Sequence, residues 1–69
     1  MNNSVVPAND PIVERVLEWT IARDADDIGI LMQWIAKSSK KRERETLIER
    51  TRELLAEIEH ATRRLDEMR

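Results

Sequence analysis

Asp24, Asp26 and Asp27 form the densest acidic run in this 69-residue chain. Neighbouring carboxylates can share a proton for acid–base work or hold a hard cation. A calcium ion, however, needs six or more oxygens delivered by a loop with its own spacing, and no such loop surrounds these aspartates. An aspartate on the inward side of a helix more commonly sets register or caps a helix end. The lone imidazole, His60, sits beside Glu57 and Glu59 on a charged helix face, with no nucleophile or further ligand at a useful spacing. It reads as a solvated side chain. The basic cluster Lys37, Lys40, Lys41, Arg42 and Arg44 could touch phosphate, but Glu43 and Glu45 interrupt it. No reading helix of a known nucleic-acid motif accompanies the cluster. There is no cysteine, no glycine-rich phosphate loop and no Ser-His-Asp constellation. The residues therefore predict no enzyme, no catalytic residue, no cofactor and no metal.

The elements that carry these residues are helices. Leu47, Thr51, Leu54, Ile58, Ala61, Leu65 and Met68 recur at alternating steps of four and three, with Ile48, Leu55 and Thr62 widening the line. At 3.6 residues per turn this spacing gathers the apolar groups into one longitudinal stripe and sets the charges opposite it. Such a stripe needs another surface to cover it. From Ile12 to Ile35 the same period returns less tidily. Val13, Val16, Leu17, Thr20, Ile21, Ile28, Leu31 and Ile35 share one broad face, and Ile12, Trp19, Ile30 and Trp34 form a second line beside it.

Asp10-Pro11 reads as a helix start, because an aspartate can accept from a free N–H of the first turn and proline fits the first helical position. Residues 1–9 read as a flexible tail ahead of a 10–69 helical domain. Lys37 to Arg42 (Lys-Ser-Ser-Lys-Lys-Arg) offers the one turn signal in the remainder, with Ser38 and Ser39 as candidate caps. The expected fold is all-α: an antiparallel two-helix hairpin with helices at about 11–37 and 40–68. The alternative is three helices, with Asp24 capping a new helix after a break. Placing the turn at Ser38–Ser39 brings Asp24 and Asp27 level with Arg50, Thr51 and Leu54, so Asp24, Asp27 and Thr51 are the expected polar layer that sets the register.

Residues 1–36 hold two basic and six acidic residues, a net −4, and residues 37–69 hold ten and eight, a net +2. That asymmetry favours antiparallel pairing modestly and is too small to call for nucleic acid. No apolar run spans a bilayer and no leader pattern opens the chain, so a cytoplasmic protein without membrane association is expected.

A chain this short buries only about 60% of its unfolded surface, and self-association is a common remedy. Trp19, Ile30 and Trp34 look outward from a single seam, and Ile48 and Leu55 broaden the second stripe beyond what two strands need. These five are the expected partner-binding residues. The partner is a second copy, forming a homodimeric four-helix bundle, or another helical protein. The expected function class is a non-enzymatic interaction module such as an adaptor, small chaperone or assembly factor. The alternatives are a nucleic-acid-associated regulator, touching phosphate through Lys37, Lys40, Lys41 and Arg42, and a small inhibitor or antitoxin-like protein.

Overall fold

In the computed structural model, which describes residues 11–69, the chain forms two long helices. The expected tail at 1–9 and the Asp10 cap lie outside the described residues. Helix α1 spans Pro11–Lys37 and helix α2 spans Lys41–Met68. Pro11 takes the first helical position, where its missing N–H would have had no partner, and Glu14 meets the positive end of the helix dipole. No proline interrupts either helix, and Gly29 is the only glycine. The helix runs unbroken through Asp24–Gly29, so the three-helix alternative is corrected. Asp24 faces the seam as a helix-interior residue and caps nothing. A single glycine costs a helix about 1 kcal/mol, too little to break 27 residues held along one side.

The connection is three residues, 38–40, with no cis peptide and no positive φ among the described residues. The backbone N–H of Ser38 donates to Trp34 O at 2.9 Å and to Ile35 O at 3.3 Å, tightening the last turn of α1. Lys40 is the N-cap of α2, extended at φ −102° and ψ 125°, and its side chain makes no capping bond. The caps expected of Ser38 and Ser39 take another form. Ser38 Oγ donates to Glu43 Oε1 at 2.8 Å, and Arg44 Nη1 donates to the Ser38 carbonyl at 3.1 Å. Glu43 and Arg44 thereby clasp the turn from the first turn of α2.

The helices pack antiparallel into a rod measuring 56 × 17 × 16 Å. Leu31, Leu54, Ala61 and Leu65 form the buried apolar core. Leu17, Ile21, Ile28 and Ile35 on α1, with Leu47, Ile58 and Met68 on α2, continue the seam half-buried. With the buried Asp24 and Thr51 included, these positions alternate at three and four residues along both helices, the spacing of knobs-into-holes packing. Val16, expected on the main face, is exposed beside the second line instead. At the open end the Arg69 guanidinium reaches Glu14, with Nε–Oε2 at 2.9 Å, and also Glu18. No described helix is long and apolar enough to cross a membrane.

Candidate functional site

The seam buries two polar residues, Asp24 and Thr51, and only Asp24 carries a charge. Asp24 is 1% exposed, and neither carboxylate oxygen accepts a hydrogen bond. Its nearest cation is Arg23, whose Nε stands 3.5 Å from Oδ1. Arg23 also lies over the Trp19 ring, 5.3 Å from its centroid. Across the seam the facing group is Glu57. Hydrogen bonding to Asp24 raises the Glu57 pKa above the ordinary carboxyl range, the Asp24 charge and partial desolvation add to the rise, and Arg50 and Arg23 oppose it. An ionised Glu57 has no proton to give, which leaves the Asp24 oxygens without a donor.

The expected polar layer is thus divided among different partners. Thr51 is buried, but its hydroxyl donates to Leu47 O at 2.8 Å within its own helix. No hydrogen bond joins it to Asp24. Asp27 is exposed and borders a shallow groove with Ile30, Leu31, Trp34, Arg50 and Leu54. Arg50 itself pairs with Glu53 at 2.9 Å, the main reason its pKa is raised. Glu57 was not legible as the partner of Asp24. Its one signal was its place beside Leu54 and Ile58 on the flank of the α2 stripe.

The large apolar residues left in water concentrate on α1. Trp19 is 62% exposed and Trp34 55%, and Ile12, Val16, Ile30 and Met32 are exposed with them. On α2 Leu55 is exposed and Ile48 is half-buried. These residues do not form one patch. Ile30 and Trp34 border the groove that contains Arg50. Ile48 and Leu55 share a seven-residue line with Arg69, whose guanidinium crosses to Glu14 and Glu18. Arg50 lies on the other flank of the α2 stripe, so the five expected partner-binding residues occupy two faces of the rod. Val16, whose spacing places it with the seam residues, is exposed as well, and so is Met32.

Lys37, Lys40, Lys41 and Arg42 are all exposed around the turn. Arg42 borders a shallow groove with Arg50, Glu45, Glu49 and Glu53, where the glutamates outnumber the arginines and oppose a phosphate contact. Arg44 is committed to the Ser38 carbonyl. His60 is exposed. Among the described residues no group of three His, Cys, Asp or Glu side chains is gathered for a metal ion.

No family model, curated protein or solved structure matches the chain.

Proposed function

We propose that this protein is a non-enzymatic interaction module, an adaptor, small chaperone or assembly factor, that works by docking helices against its outer apolar faces. The observation that supports this is the exposure of Trp19 and Trp34 on one helix, together with Val16 and Ile30. Large apolar residues exposed in this number commonly mark an interface, and aromatic residues are its common anchors. The partner is helical: a second copy, completing a four-helix bundle, or another protein donating one or two helices. Asp27 and Arg50 supply polar groups at the rim of the groove that Ile30 and Trp34 border.

Tryptophan emission and acrylamide quenching, followed across protein concentration beside light scattering, test the reading. The expected result is a blue shift and rising protection as the particle mass increases, both abolished in Trp19→Ser/Trp34→Ser. A chain that stays monomeric at all concentrations, melts cooperatively and leaves both indoles freely quenched would overturn it.

A further inference from the structure

The outer face of α1 has an order to it. Val16, Trp19, Arg23, Asp26, Ile30 and Trp34 follow one another at steps of three and four, so they form a single line along the helix. All six are exposed. Asp27 is exposed next to Asp26 and shares its level. The line runs apolar, apolar, cation, anion, apolar, apolar. Reversed and laid against itself, it meets its own complement. Arg23 falls opposite Asp26 and Asp27, Trp19 opposite Ile30, and Val16 opposite Trp34, all in one register. Laid parallel, it would set Arg23 against Arg23 and aspartate against aspartate, an arrangement that like charges oppose.

We infer that the occupant of this face is a second copy of the chain, with α1 packed antiparallel on the partner's α1 about a two-fold axis passing between Arg23 and Asp27. This rests on the interaction-module reading and specifies its partner and register. A two-fold interface is isologous, so each charged contact occurs twice. Arg23 already touches Asp24 through Nε alone, and a guanidinium carries five N–H donors in all. Its remaining donors suit the partner's carboxylates, and its position over the Trp19 ring places that fork beside an apolar anchor. The indole–Ile30 and Val16–indole pairs on either side cover four of the apolar residues the hairpin leaves in water, and the central charges fix the register.

Sedimentation equilibrium of a charge-swapped pair provides the test. Arg23→Asp alone and Asp26→Arg/Asp27→Arg alone each place like charges together, and each is expected to dimerise about tenfold more weakly or worse. An equimolar mixture restores opposite charges at both contacts and is expected to form a heterodimer at close to wild-type affinity. A dimeric wild type whose variants are unaffected, or whose mixture stays weak, overturns this register and leaves the module reading standing. A wild type that remains monomeric overturns the second copy as occupant. If its tryptophans are also freely quenched and its melting is cooperative, the module reading falls too.

Because Arg23 also neighbours the buried Asp24, an independent pair of variants avoids that site. The chain has no cysteine of its own. Val16→Cys mixed with Trp34→Cys is expected to give a disulfide-linked heterodimer, while Val16→Cys alone gives none, since the two copies of position 16 would stand about 27 Å apart along the axis at 1.5 Å per residue. Self-linking of Val16→Cys, or no linking in the mixture, overturns the antiparallel register.

Discussion

The two helices differ in what the hairpin does for them. Helix α2 has 15 charged residues among its 28 and confines its apolar groups to one stripe, most of it against α1. Helix α1 has eight charged residues among its 27 and presents apolar groups on several sides, yet its seam holds an aspartate at the centre. A helix with one apolar stripe is satisfied by one neighbour, whereas a helix that is apolar most of the way round belongs inside something larger. The hairpin therefore completes α2 and leaves α1 incomplete. Stability should reside in the α2 stripe and association in the outer side of α1.

The largest expected effect comes from the α2 stripe. Leu54 is 3% exposed and Leu55 48%, though they are adjacent. Leu54→Ala should lower stability by about 2–5 kcal/mol, and Leu55→Ala by less than about 1 kcal/mol, measured by urea denaturation of each variant. Equal losses would mean that the stripe is not where the hairpin is held.

Next is the seam of α1. Asp24→Leu replaces a buried carboxylate that has no donor with a side chain suited to its apolar neighbours, and should raise stability by about 1–3 kcal/mol. A loss of stability in the same denaturation experiment would show that Asp24 contributes more to the seam than its geometry allows. A smaller gain is expected at Gly29, where an added Cβ meets nothing within 4 Å. Gly29→Ala should add about 0.5–1 kcal/mol by helix propensity alone. If a partner packs closely on that side of α1, the same change will weaken association in sedimentation.

The smallest effect concerns pH. The Glu57 pKa is raised in the folded chain, first by its hydrogen bond to Asp24. A raised carboxyl contributes stability that is full below the unfolded pKa and is lost as pH rises through the folded one. Glu57→Gln supplies a permanent N–H donor and no charge. The variant should melt higher than wild type at neutral pH, and the difference should shrink as pH falls toward about 4. A melting difference that does not change with pH would separate Glu57 from Asp24.

Much of the hairpin was legible in the chain because helix period and helix punctuation are local. Pro11 and Lys37 bound α1 in both the sequence reading and the structure, and Leu54, Ala61 and Leu65 are buried where the stripe put them. The cross-seam levels were less legible, because they depend on where the turn is centred. A turn at Ser38–Ser39 sets Asp24 near Thr51 and Leu54. The actual turn has Lys40 as N-cap and is closed by Ser38, Glu43 and Arg44, so it is centred later. Each residue of displacement there shifts facing residues by two. Asp24 meets Glu57, about one helical turn on from Leu54 and six residues on from Thr51. The division of Trp34 and Leu55 between two faces was hidden for the same reason. Which flanks of two helices coincide is settled only when their relative rotation is known.

The clasp at the turn has a kinetic consequence. Ser38, Glu43 and Arg44 are joined across five and six residues, whereas Arg69 reaches Glu14 and Glu18 across more than fifty. Closing a short loop costs little chain entropy, and each later rung of the seam then closes only a slightly longer one. The hairpin should zip from the turn outward, with the Arg69 clamp the last rung to form and the first to open. Amide exchange should therefore be slowest near Leu31 and Leu54 and fastest toward Val13 and Met68. Arg69→Ala should quicken unfolding while leaving the refolding rate unchanged.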